Sequence, residues 1–343
     1  MSQVDDEVLL VREDEASDDG ASELESIASS SASISSSILN YRFENGRTHH
    51  KYKDGNYIFP NDEREKDRLD MQHEILTYTL DGELGLAPPC HRNAKVGRVL
   101  EVGTSTGIWA IDFGDMHPEA EILGVDLTPP QQEFVPPNVR FEVDDVEEEW
   151  LHSEPFEYIH SRFMNASIAN WKEYIRNCYD NLTPGGYPEL MENQVDPVSD
   201  DGSFTKDCAM AKYIEGIQEA SDKLGRVFID VPTLRDVREE VGFVDVELRQ
   251  YKTLGLWCLK NSSNALEAVC MALFTRVLNW SSDEVNVFLV DIRKDLKNKS
   301  YHAYFNIYRL VGRKPEKEDT PTPACLEQAR SLDDSCAIQS NAS

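Results

Sequence analysis

The stretch Gly97-Arg-Val-Leu-Glu-Val-Gly103-Thr-Ser-Thr-Gly107 decides the fold of this chain. Val99, Leu100 and Val102 form a short apolar run of the kind buried in a parallel sheet, and the small residues after it turn the chain into a helix that begins near Gly107. A second short strand ends in Gly124-Val-Asp126-Leu127, about twenty residues on, the interval at which an acid reaches a ribose hydroxyl. Strand, turn and acid together predict a nucleotide-cofactor site at the carboxyl edge of an open sheet.

The glycine spacing narrows the choice of cofactor. A dinucleotide loop reads G-x-G-x-x-G and rests a pyrophosphate on the helix N-terminus. Here Gly103 and Gly107 enclose Thr104-Ser105-Thr106, with Glu101 before the turn, which disfavours NAD and a dehydrogenase. The loop resembles the acid-x-G-x-G-x-G loop of class I S-adenosylmethionine-dependent methyltransferases, with Ser105 at the middle glycine. That resemblance implies that Glu101 suits the ammonium-bearing end of a phosphate-free cofactor. It also implies that Gly103, Thr104, Ser105 and Gly107 pass close to the cofactor's methionine moiety and ribose, and that Asp126 and Leu127 border the ribose. A serine strains the turn if φ is positive there.

From Val96 onward strands and helices alternate, the signature of a doubly wound parallel α/β sheet covered on both faces. Strands are predicted at 97–102, 121–126, 138–143, 155–160 and 186–192, and helices at 107–117 and 171–182. Helices at about 205–223 and 232–241, a strand at 243–251 and a helical insertion over about 255–300 precede a last strand at 303–311. For a class I methyltransferase this implies a Rossmann-like sheet of seven strands with the last antiparallel, in a domain spanning 97–312. Residues 41–96 read as a lead-in. Within it Arg68, Leu69, Met71, Gln72, Ile75, Leu76, Thr79 and Leu80 have helical spacing, and a helix before the first strand can close over a cofactor.

Several residues are candidates for chemistry. Asp144-Asp145 ends the third strand, where class I methyltransferases place an acid that accepts from the adenine amine; Asp145 is the first choice and Asp144 the second. Tyr158-Ile-His160-Ser-Arg162 reaches the carboxyl edge of the fourth, where ligands sit in open α/β folds. His160 is the candidate base for an acceptor hydroxyl, with a hydrogen-bonding spacer as its alternative. Arg162 is suited to a substrate carboxylate or, equally, to an internal ion pair. Glu189, Glu192 and Asn193 line the end of the fifth strand as candidate substrate contacts. Pro188 suggests a distorted or edge-like start to that strand, and Pro184-Gly185-Gly186 a turn before it. Trp109 is the better fit to the core than to the cofactor. His49-His50 lacks a third ligand at metal spacing and reads as an exposed loop pair, so no metal is expected.

The 343 residues carry 34 Lys and Arg against 63 Asp and Glu, a formal charge of -29, which excludes tight unassisted binding to nucleic acid. Residues 1–40, acidic and Ser-rich, and residues 313–343 read as disordered tails, with Val8–Val11 an incidental apolar patch. Seven scattered cysteines without a C-x-x-C pair point to a reducing compartment. No run of the roughly eighteen apolar residues needed for a membrane span appears, so the chain reads as soluble and intracellular, cytoplasmic with the nucleus as the alternative.

A closer resemblance is carried by Tyr41-Arg-Phe-Glu-Asn-Gly-Arg-Thr-His49, Asp67-Arg-Leu-Asp-Met-Gln-His73, Leu100-Glu-Val-Gly-Thr-Ser-Thr-Gly-Ile-Trp-Ala110, Phe134-Val-Pro-Pro-Asn-Val-Arg-Phe141 and Ile159-His-Ser-Arg162. Together with Phe59-Pro-Asn-Asp-Glu63 they resemble the fungal LaeA-like methyltransferases over about residues 41–312. The resemblance implies S-adenosyl-L-methionine as methyl donor and a place in fungal secondary metabolism. Members include many pathway enzymes of unassigned substrate, and a nuclear regulator of metabolite gene clusters that works with velvet-type proteins. Both readings stay open at this point, with O-methylation of a small natural-product intermediate preferred.

Overall fold

The computed structural model describes residues 41–50, 58–130, 132, 134–253, 256–316 and 319. The N-terminal tail, Val8–Val11 and nearly all of the C-terminal tail lie outside these. A hairpin of β1 (Arg42–Glu44) and β2 (Arg47–His49) leads to α1 (Glu63–Thr79), and then come β3 (Arg98–Val102), α2 (Ile108–Met116), β4 (Glu121–Asp126), β5 (Val139–Val143) and β6 (Phe156–Arg162). They are followed by α3 (Trp171–Asp180), β7 (Leu182–Asn193), the two-residue β8 (Val198–Ser199), α4 (Ala209–Lys223), α5 (Leu234–Val241), β9 (Val244–Thr253), α6 (Leu256–Arg276), α7 (Ser282–Leu296) and β10 (Ala303–Arg313).

The strands lie in the order β5-β4-β3-β6-β7-β10, with β9 and β8 also bonded to β10. Strands β3 to β7 are parallel, whereas β10 runs antiparallel to β7, β8 and β9. This is the doubly wound sheet expected, seven long strands with the last antiparallel, extended by β8. From β3 the chain winds outward to β5 and then crosses back to β6 on the other side of β3. A crevice opens where the winding reverses, at the carboxyl ends of β3 and β6.

Local chemistry explains the elements. β3 is buried over Val99–Val102, as a central parallel strand with both faces covered must be. α3 buries Trp171, Tyr174, Ile175 and Cys178, one stripe at helical spacing, and is capped by Asn170, whose side chain accepts from the Glu173 N–H. α7 opens with a reciprocal capping box between Ser281 and Glu284. Two apolar clusters flank the sheet, one with α3 and α5 and one with α2. A third joins α4, α6 and α7.

Three local expectations change. Pro184-Gly185-Gly186 lies inside β7, and the β6 pairing slips between Phe156 and Tyr158 to accommodate it. Pro188 stands in the sheet interior, opposite Ile159, with its carbonyl accepting from Arg238 at 2.9 Å. His49 and His50 are buried, at 5% and 2% exposure, because the hairpin packs inward; Arg276 of α6 ion-pairs with Glu44 there.

Candidate active site

A cavity of about 420 Å³ sits in the crevice, within the size range of small-molecule sites. One wall is the sheet edge: Gly103–Thr106 after β3, Val125–Pro129 at the end of β4 and beyond it, Asp144–Glu147 after β5 and Arg162–Asn165 at the end of β6 and beyond it. The opposite wall is helical, built from α1, α4 and α6, with Phe305 and Ile307 of β10. α1 covers the opening with Leu69, Gln72, His73 and Leu76, which share one face at i, i+3, i+4 and i+7. It is held by its N-cap Asp62, which also pairs with Arg47, and by Arg68, which bonds to Glu65, Gln72 and Asn261 of α6.

The loop after β3 is tied to the acid that ends β4. The Ser105 N–H donates to Asp126 Oδ2 and the Thr128 N–H to Oδ1, both at 2.9 Å. Each carboxylate oxygen keeps a further acceptor site, and Asp126 lines the cavity. Burial pushes its pKa up, against these two bonds. Ser105 does adopt positive φ, at 54°, so the serine carries the strain that a glycine would not. Gly107 caps α2 at φ 81°, and a Cβ there would meet the Phe141 ring at 2.6 Å. Gly107→Ala is therefore expected to cost about 1–2 kcal/mol from φ alone, read as a lower melting temperature; an unchanged melt would mean that the turn relaxes freely.

Thr104, Ser105, Leu127, Asp144 and Asp145 also reach the cavity. Asp144 accepts from the Asp145 N–H and Asp145 from the Glu147 N–H. Glu147 in turn pairs with Arg226 at 2.6 Å, so the loop after α4 is latched to the loop after β5. Glu101 stands one step behind the wall, at 2% exposure, and takes the Thr104 hydroxyl. Burial pushes its carboxyl up to about 7, with Arg162 opposing.

The other candidates divide. Arg162 and Asn193 line the cavity. Glu192 is fully buried outside it, clamped by the N–H groups of Asn165 and Asn193 at 2.9 and 3.0 Å, and burial pushes it up to about 8. Glu189 bolts the fold through Leu86, Ala87, Tyr158 and Arg309. His160 does not reach the site: its ring is fully buried and stacks on Trp109 at 3.8 Å between centroids. It stops two residues short of the edge that Arg162 reaches, and α2 covers it. Burial, reinforced by Arg162, holds its pKa well below the ordinary imidazole value. A neutral ring walled off by an indole takes no proton from a molecule in the cavity, so His160 belongs to the core with Trp109.

The residue that pattern reading passed over is His73. Its Nδ1 accepts from Arg162 at 3.1 Å and its Nε2 lies 2.8 Å from Asp112. Its membership of the apolar face of α1 was the available signal. Among the described residues no cluster of three metal-ligating side chains occurs, and no helix is long and apolar enough to cross a membrane.

A family model for a methyltransferase domain matches residues 71–248, more than half of the chain. The chain belongs to that methyltransferase family. Its relatives narrow this to the LaeA-like class I branch, the S-adenosylmethionine-dependent methyltransferases of fungal secondary metabolism. The chain is 40% identical to "Methyltransferase pytC" of Aspergillus terreus over 301 residues, 84% of this chain and 92% of that one. It is 33% identical to "Secondary metabolism regulator LAE1" of Cochliobolus heterostrophus, covering 80% and 95%. It is 29% identical to "Probable methyltransferase tdiE" of Emericella nidulans, covering 73% and 82%. The donor set fits the family's cofactor: a clamped carboxylate with unspent acceptor sites, and a pair of acids one strand away, around a single cavity.

Proposed function

We propose that this methyltransferase transfers a methyl group to an oxygen of a small-molecule intermediate of secondary metabolism. The observation that carries the reading is one continuous cavity with acids along the sheet edge and an apolar helical wall facing them. In it Asp126 holds the ribose hydroxyls, Asp145, with Asp144 beside it, accepts from the adenine amine, and Glu101 favours the ammonium end from behind Thr104. S-adenosylmethionine supplies an activated methyl group when bound, so the chain's own task is to align the acceptor and exclude water. α1 closes the opening, and the Arg226–Glu147 latch fixes the loop beside the two acids.

Asp126→Ala tests this. It removes the ribose acceptor and frees two backbone donors, and should cost about 1–3 kcal/mol of affinity for S-adenosylhomocysteine, measured by calorimetry. Unchanged affinity in a folded variant would remove Asp126 from the site.

A second reading, a regulatory member acting in the nucleus with velvet-type proteins, is favoured by the strain at Ser105 and by the likeness to LAE1. The same titration separates the two. Micromolar binding by the wild-type chain supports the enzyme, and no binding supports the scaffold.

A further inference from the structure

We infer that the methyl acceptor is a largely apolar molecule whose acceptor hydroxyl is acidic, an enol or a carboxylic acid, and that Arg162 holds it as its anion. The inference rests on the methyl-transfer reading above and names the substrate class.

Arg162 ends β6 on the cavity wall. Its hydrogen-bond partner is His73, and no carboxylate among the described residues lies within ion-pair distance of it. Because a guanidinium only donates, His73 Nδ1 is the acceptor; the ring proton then sits on Nε2 and is donated to Asp112. The chain Asp112–His73–Arg162 thus fixes the guanidinium with a neutral imidazole and leaves most of its five N–H groups unspent. Glu101 behind the wall and Asp112 through His73 act on the guanidinium only at a distance, so a ligand that brings a contacting anion lowers the cost of holding the cation in the wall. In a chain of charge -29, a local cation is also what an anionic ligand needs in order to enter.

The cavity offers no free base among the described residues. His73 has both nitrogens engaged. Glu65 is paired with Arg68 at 2.7 Å, and Glu147 with Arg226. Asp126, Asp145 and Asp144 keep acceptor sites beyond their backbone N–H bonds, but in the methyl-transfer reading these are taken by the cofactor's ribose and adenine. An ordinary alcohol or a protonated amine would meet nothing to take its proton, whereas an acidic hydroxyl arrives without one. The rest of the molecule faces Tyr213, Ile214, Ile217, Leu266, Phe305 and Ile307. Tyr213 spends its hydroxyl on the Leu266 carbonyl at 3.2 Å and so presents only its ring. In the transfer the acceptor oxygen's lone pair forms the new C–O bond as the donor's C–S bond breaks and leaves its electron pair on sulfur. No proton moves in that step, and the anion's charge is neutralised.

The test uses the full chain saturated with S-adenosylhomocysteine and two probes with the same apolar body, 2-naphthoic acid and 2-naphthamide, titrated by calorimetry. The acid should bind at least about tenfold more tightly than the amide, the factor for one charge-assisted hydrogen bond. The preference should vanish in Arg162→Gln and persist in Arg162→Lys, with affinity for S-adenosylhomocysteine kept within about threefold in both. Equal binding of the two probes, or no binding of the acid, overturns the inference. So does a collapse of S-adenosylhomocysteine affinity in Arg162→Gln, which would put the guanidinium on the cofactor's own carboxylate. If the wild-type chain binds no S-adenosylhomocysteine, the methyl-transfer reading itself fails, and the inference with it.

Discussion

Glu189→Ala should lower the stability of the fold by about 3–5 kcal/mol, the cost of breaking a buried ion pair from one side. Glu189 is 1% exposed, and its carboxylate accepts from the N–H groups of Leu86 and Ala87 and from the Tyr158 hydroxyl at 2.8–2.9 Å, while Arg309 of β10 lies 3.1 Å away. It therefore joins four parts of the chain: β7, β6, the segment before β3, and the antiparallel last strand. Alanine would leave Arg309, itself 2% exposed, as a buried cation without its anion. Chemical denaturation reads the loss directly. Because Glu189 is not part of the cavity wall, the folded fraction should bind S-adenosylhomocysteine as wild type does. A loss below about 1 kcal/mol, the worth of a single neutral hydrogen bond, would show that water or repacking replaces the carboxylate.

Glu189 also shows where reading a sequence stops. The strand, turn and helix of Gly97–Gly107 and the acid at Asp126 were legible because each is a local pattern, and the doubly wound parallel sheet followed from the alternation of strands with helices. Position along a strand was not local. His160 and Arg162 point to the same face of β6 by the two-residue period. Which of them reaches the cavity depends on where β3 and β7 end beside them and on Trp109, 51 positions before His160, covering the ring. The same holds for Glu189, Glu192 and Asn193 on β7, of which Asn193 alone lines the cavity. The Asp112–His73–Arg162 chain joins residues 39 and 89 positions apart, and no spacing rule could pair them. Pro184-Gly185-Gly186 carried a true signal of irregular backbone, but a turn and a kinked strand use the same residues.

Glu101→Gln should change how stability depends on pH. The Glu101 carboxyl is pushed from 4.5 up to about 7 in the folded chain, by burial first, with the Arg162 charge and the Thr104 hydroxyl opposing. Between those two values the folded chain holds a proton that the unfolded chain has lost, so wild-type stability falls as pH rises from about 4.5 to about 7 and stays lower above that. The shift corresponds to about 3 kcal/mol as an order of magnitude. Glutamine never ionises, so the variant should gain on wild type by that amount between about pH 4.5 and about pH 8, read by urea denaturation at the two ends. Affinity should move the opposite way. A carboxylate is what favours an ammonium group beside Gly103, so wild-type binding of S-adenosylhomocysteine should strengthen as pH rises through about 7, whereas the variant should bind more weakly and show no such rise. Parallel stability curves for the two proteins would mean that Glu101 is ionised throughout, held by Arg162. The acid before the turn would then be a fixed charge of the fold.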